Sequence, residues 1–200
     1  MPLPSQLSKM LEGDPRYSAL AAFCDELSSD ARLAAIRGLD KPAMAKLYAC
    51  AAEASPVSLA LLVPSDAPAA GVPWNGKNSL PAFSHFCKVF TRADAPDALW
   101  GRNAGAMEWL IGPGYYTCTV QPERPREFLI DYTREPPRAP EGWPKVKPNR
   151  AGASRFVFFN MHDRLRPVGQ HVAIGAAYDA ATGAFKNQYF ALARGERVQL

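Results

Sequence analysis

The chain is poor in histidine, has no paired cysteines and lacks any long apolar run, and each shortage removes a class of function. Three histidines, His85, His162 and His171, are spread over 200 residues. They never form the H-x-H or H-E-x-x-H spacing that brings two ligands to one metal, so no metal site is expected. The four cysteines, Cys24, Cys50, Cys87 and Cys118, are singletons at wide spacing. Without C-x-x-C there is no signature of a zinc or thioredoxin-like centre, and no structural disulfide is expected. No G-x-S-x-G turn presents a serine nucleophile. "GPGYY" is the one glycine-dense spot beside a strand, and with no helix following it reads as a turn and not as a phosphate loop. No cofactor is expected.

The longest apolar run, "VSLALLVP" from Val57, falls far short of the roughly 20 residues a membrane-spanning helix needs. The opening "MPLPSQLSKMLEGDPRYS" has no basic start followed by an apolar stretch, so a secretory leader is not expected and the cytoplasm is the expected compartment. The net charge is +4 and unevenly placed: residues 1–120 hold 10 basic and 11 acidic side chains, residues 121–200 hold 13 and 8. The arginines of that second part are scattered, with no basic run interleaved with aromatics, so nucleic-acid binding is not expected.

What is present is strong periodicity of two kinds. "SQLSKMLEG", "DPRYSALAAFCDELSS", "SDARLAAIRGL" and "DKPAMAKLYACAAEA" carry apolar residues at helical spacing. Asp14 with Pro15, and Asp40, are the expected N-terminal caps. Residues 56–78 form a transition rich in Pro, Ala and Gly. "NSLPAFSHFCKVFTR" reads as a further helix, with Phe83, Phe86, Val89 and Phe90 as its buried stripe and His85 and Lys88 at the edge. From Met107 the period falls to two, giving expected strands at 107–111, 115–120, 126–133, 154–160, 167–178 and 187–194. Consecutive strands without intervening helices form an antiparallel sheet, and strongly aromatic strands curl and close to remove their edges. The expected fold is therefore α+β: N-terminal helices (1–78, a helical cap and linker), then a helix and an antiparallel sheet curled into a small barrel or half-barrel (79–200).

Alternation sorts the candidate site residues. On 168–178, Val168, Gln170, Val172, Ile174, Ala176 and Tyr178 share one face; Gly169, His171, Ala173, Gly175 and Ala177 share the other. Space above that small-residue face is either filled by large neighbours, Phe156 and Phe158 or Val157 and Phe159, or kept as a cavity. His162 falls in "NMHDRL", read as a turn, and its neighbour Asp163 is not expected to point at it. Asp131 is the one carboxylate in mid-strand; with Phe128, Ile130 and Tyr132 on one side, it belongs to the other, and an inward Asp131 would need a partner such as Arg155 or Arg194. The proline-rich connection 134–153, with Trp143, is expected to pack over a barrel mouth.

The closing stretch "HVAIGAAYDAATGAFKNQYFALAR", ending in an aromatic–x–Leu–x–Arg strand (Tyr189 to Arg194), resembles lipocalin-type and related small-barrel proteins, including uncharacterised bacterial ones. The lipocalin G-x-W signature is missing; "PWNGK" and "ALWGRN" are degenerate echoes, and the alanine-rich helical start is foreign to a plain lipocalin. The resemblance implies a barrel holding an apolar small molecule and implies no catalytic residue.

Three readings follow. The first is a binding module for a small apolar or aromatic molecule, lined by Tyr116, Tyr132, Phe158, His171 and Tyr178, with Trp109 and Trp143 near the mouth. The second is a cofactor-independent isomerase, cyclase or lyase in the same cavity, with His171 or Asp131 as acid or base and a tyrosine hydroxyl as oxyanion donor. The third is an interaction module whose basic second part docks an acidic partner. Homodimerisation stays open in all three.

Overall fold

A computed structural model of the chain describes residues 3–82, 84–106 and 108–200. The expected roles of Phe83 and Met107 lie outside the described residues. Four helices come first: α1 (Leu3–Met10), α2 (Tyr17–Glu26), α3 (Ser29–Arg37) and α4 (Lys41–Cys50). Asp40 caps α4 as expected, its carboxylate accepting from the Ala43 amide at 2.8 Å, with Pro42 in the first turn. Asp14 does not cap α2; the helix starts later, with Arg16 at the cap position and no side-chain bond there. Ser28 caps α3 instead.

Eight antiparallel strands then close a barrel in simple up-and-down order. They are β1 (Val72–Asn78), β2 (His85–Arg92), β3 (Ala98–Ala104), β4 (Tyr116–Gln121), β5 (Arg124–Asp131), β6 (Met161–Pro167), β7 (Val172–Asp179) and β8 (Phe185–Arg194). The ring closes where β1 pairs with β8, Gly76 opposite Leu192. Closure removes every sheet edge. The expected α+β class and small barrel are therefore what the chain forms, although β1 already lies within the segment read as cap and linker.

Several local readings are corrected. "HFCKVFTR" is strand β2, not a helix: Phe86, Lys88 and Phe90 point one way and Cys87, Val89 and Thr91 the other. Residues 108–111 form a short helix, α5 (Glu108–Ile111), between β3 and β4. "SRFVFFN" is not a strand; Gly152–Phe156 makes a 3₁₀ turn, and Phe156 and Phe159 are exposed while Phe158 is buried. "MHDRLRP" is β6 and not a turn, with strict alternation of buried Met161, Asp163, Leu165 and Pro167 and half-exposed His162, Arg164 and Arg166.

Two cores result. Outside the barrel, Leu33, Ile36, Leu39, Met44 and Leu47 of the helical layer bury against Val172, Ile174, Ala176, Ala191 and Ala193 of β7 and β8. Each such Leu or Ile contributes about 2 kcal/mol by leaving water. Arg166 adds a polar tie: it donates to the Tyr48 carbonyl at 2.8 Å, and its guanidinium lies 4.0 Å from the Tyr48 ring centre. Inside the barrel, Trp74, Phe90, Tyr116, Phe128, Ile130, Leu165, Ala173 and Leu192 fill one half, and Leu62 and Val63 pack into the same core. The Trp74 indole N–H donates to the Leu62 carbonyl at 3.2 Å, fixing that segment to the barrel.

Candidate functional site: a cavity ending on a buried ion pair

The other half of the barrel is hollow. A cavity of about 360 Å³ opens at the ends of β1, β3, β5 and β7, and its walls include Phe86, Ile111, Phe158, Met161, Ala177 and Phe190. An eight-stranded barrel has an interior just wide enough for side chains or one small ligand, and here each half takes one of those options. Around the opening, Leu80, Trp109, Leu110, Phe156, Val157 and Phe159 are exposed on the segments that frame it.

The apolar walls end on a polar cluster built by β2, β3, β6 and Tyr132, the residue just past β5. Lys88, inward on β2, places its ammonium 3.0 Å from the Asp163 carboxylate of β6, with both side chains almost wholly buried. It also donates to the Asn103 side-chain oxygen at 3.1 Å and to the Tyr132 hydroxyl. That hydroxyl accepts from the Asn103 amide at 3.0 Å and donates to Asp163 at 3.3 Å. The rings of Tyr116 and Tyr132 stand 5.0 Å from the ammonium, and that of Phe190 5.1 Å. Their π-faces offer the cation electrostatic support in place of water.

Burial is the largest influence on each ionisable member. It pushes the Lys88 ammonium below its ordinary pKa, against the pull of Asp163, and pushes the Asp163 carboxyl above its own, against the pull of Lys88. The Tyr132 phenol is held well above its ordinary value by burial and by Asp163 beside it. The phenol therefore stays protonated, while the lysine and the carboxyl share a proton on closer terms than they would in water.

Of the residues singled out from the sequence, Tyr132 and Phe158 border this cavity, their rings stacked at 5.4 Å and 14°. Tyr116 is buried in the barrel core, its ring packed edge-on against Phe90 and Tyr132, without bordering the cavity. Trp109 sits exposed on α5 beside the opening. Trp143 is on the outer wall: its indole N–H donates to the Ala70 carbonyl at 2.9 Å, and it packs over Cys87, Val89 and Ala104. The connection 134–153 thus packs against the barrel's side and not over its mouth; Asn149 pins it by donating to the Tyr115 and Tyr132 carbonyls at 2.7 and 2.8 Å.

His171 precedes β7 at the opposite end, where its Nδ1 lies 2.6 Å from the Arg194 guanidinium. It is separated from cavity-lining Ala177 by six residues of extended chain, about 20 Å. Partial desolvation and then Arg194 lower its pKa, so it is neutral at physiological pH. Tyr178 faces outward, its hydroxyl 3.4 Å from that of Tyr48. Asp131 also faces outward; its partner is not Arg155 or Arg194 but His162, whose Nε2 is 3.1 Å away, and Thr133 donates to it from its amide and hydroxyl at 2.8 and 2.6 Å. The inward carboxylate of this sheet is Asp163.

Lys88, Asp163 and Asn103 escaped the sequence reading. The signal for the first two was present: one charge in mid-strand among inward apolar residues, Phe86–x–Lys88–x–Phe90 and Met161–x–Asp163–x–Leu165, with opposite signs on the two strands. An inward charge in a barrel requires a counter-charge.

Part of the basic excess is neutralised on the outer face of β5 and β6, where Glu127 meets Arg166 at 3.1 Å, Arg124 at 3.4 Å and Arg164 at 3.8 Å. Among the described residues no group of three or more His, Cys, Asp and Glu side chains converges to hold a metal, and no helix is long and apolar enough to cross a membrane. Comparison of the chain with family models, with curated proteins and with solved structures finds no match.

Proposed function

We propose that the protein binds one small apolar or aromatic molecule in the open half of the barrel, in the manner the lipocalin-like texture of its sequence implies. The observation that carries this reading is the cavity of about 360 Å³ with apolar walls that ends on a hydrogen-bonded, ion-paired cluster. Ligand sites are commonly of this kind, mostly apolar with a few placed polar groups that set orientation. The up-and-down barrel, with one half packed and one half hollow, supports the same reading, as does the apolar rim. A cofactor-independent isomerase, cyclase or lyase in this cavity would draw its acid or base from titratable groups that border it, among them Lys88, Asp163, Tyr132, His85 and Glu108, and not from His171 or Asp131.

The test is to fill the cavity. Ala177 points into it opposite Asp163, and a Cβ at Gly105 would meet nothing nearer than the Phe86 Cβ at 4.0 Å. Ala177→Phe and Gly105→Phe each place a ring where the ligand would sit. An uncharged naphthalene dye titrated by fluorescence is expected to bind the wild-type protein and to lose at least about tenfold in affinity, some 1.4 kcal/mol, in both variants. Equal binding by folded variants of both kinds would overturn the reading.

A further inference from the structure

The ion pair at the end of the cavity asks for more explanation than ligand orientation provides. A buried Lys–Asp pair is weak evidence for stability, since apolar residues of similar volume often serve the fold equally well. An amide or hydroxyl would orient a polar ligand group without burying charge. Lysine offers something those groups do not: an amine that becomes a nucleophile once it loses its proton. Asp163, 3.0 Å from the Lys88 nitrogen, is placed to take that proton, and the Tyr132 hydroxyl touches both. All three border the cavity, so a bound molecule can reach them. Lys9, Lys46, Lys145, Lys147 and Lys186 are exposed and lack any such arrangement.

We propose that Lys88 captures a carbonyl on the cavity's ligand, an apolar or aromatic aldehyde or ketone, as a protonated imine. This deepens the binding reading and rests on it. The step is balanced without any further reactant. Lys88 passes a proton to Asp163, directly or through Tyr132, and the free amine lone pair attacks the carbonyl carbon as the C=O π electrons move to oxygen. A second amine proton is transferred to that oxygen, giving a neutral carbinolamine. Asp163 returns its proton to the hydroxyl, the C–O bond breaks and water leaves; the nitrogen lone pair forms the C=N bond. Lysine ammonium and carbonyl have become iminium and water, and Asp163 is a carboxylate again.

The product retains the positive charge, so it keeps the same counter-ion and the same ring faces around it. The burial that lowers the Lys88 pKa and raises that of Asp163 favours the initial proton transfer. The apolar walls limit the water that would hydrolyse the adduct.

Cinnamaldehyde and cinnamyl alcohol share one skeleton and differ at the reacting group, which separates capture from binding. The wild-type protein is incubated with the aldehyde, reduced with borohydride and analysed by intact mass and peptide mapping. The alcohol is titrated by calorimetry on the same preparation. The expected result is alcohol binding together with one reduced adduct, of mass equal to protein plus aldehyde less one oxygen, located on Lys88. The adduct is expected to be absent from Lys88→Met and from the paired variant Lys88→Met/Asp163→Leu, which restores charge balance and keeps the test valid where the single variant folds poorly. Asp163→Asn, which removes the proton acceptor, is expected to slow trapping at least about tenfold. Alcohol binding without an adduct on Lys88, or with adducts only on surface lysines, would overturn the capture step and leave the binding reading standing. Failure of the alcohol to bind, with no adduct, would remove both.

Discussion

Asp163→Ala is expected to lower the unfolding free energy by about 3–5 kcal/mol near neutral pH, the loss typical when one partner of a buried ion pair is removed. The reason is the ammonium left behind. Lys88 is 2 % exposed, and its remaining polar contacts, Asn103 and Tyr132, are neutral. Domains of this kind have about 5–15 kcal/mol in total, so the loss is a large fraction of the whole. Lys88→Met alone strands the Asp163 carboxylate, and neutralising that group near pH 7 costs about as much as neutralising the stranded Lys88, so a loss of similar size is expected. The double variant Lys88→Met/Asp163→Leu removes both charges and is expected to return close to wild-type stability. Urea unfolding of the four proteins measures all of this in one series. A double variant no more stable than Asp163→Ala would show that the cluster matters through packing and not through charge.

Gly175→Val is expected to destabilise by at least about 1–3 kcal/mol, the usual range for forcing extra carbon into a packed core. A Cβ at Gly175 would stand 2.1 Å from the Phe190 ring, its cross-strand neighbour on β8, and that ring is buried. The same device recurs across the barrel, where a Cβ at Gly101 would stand 1.9 Å from the Tyr116 ring paired with it. In both places a glycine lets an aromatic side chain fold flat over the neighbouring strand and fill the lumen. Thermal unfolding of Gly175→Val and Gly101→Ala, with an outward substitution such as Arg164→Gln as a control for the barrel wall, checks this. Retention of wild-type stability in both glycine variants would mean that the rings do not lie where the structure places them.

The glycine and alanine face of β7 raised a question in the sequence that the structure answers in two parts. Above Gly175 the space is filled, by Phe190 and not by Phe156 or Phe158; beside Ala177 it is empty and forms the cavity wall. The helices were legible because each has an apolar stripe at helical spacing, and the last two strands because they are apolar on both faces and bounded by turn residues. β2 was not, because Phe83, Phe86 and Phe90 also fit helical spacing, and the inward lysine broke the alternation that would have signalled a strand. β6 was hidden by the same chemistry: Asp163 interrupts the inward row of Met161, Leu165 and Pro167, and with Asn160 and His162 beside it the start of the strand reads as a turn. "SRFVFFN" misled in the opposite direction, being aromatic because it frames an opening and not because it lies within the sheet. The two strands that carry the buried ion pair, β2 and β6, were thus both missed, whereas β5 was expected at 126–133. A charge placed inward for binding or chemistry erases the apolar alternation by which strands are recognised.

Native mass spectrometry of the purified protein beside a denatured control tests most directly whether the hollow half of the barrel holds a small apolar molecule. The expected result is a species heavier than the bare chain that loses the extra mass on denaturation, or keeps it after borohydride reduction when the molecule is bound as an imine on Lys88. A bare chain mass under both conditions, from protein that also fails to brighten an uncharged naphthalene dye, would contradict that binding.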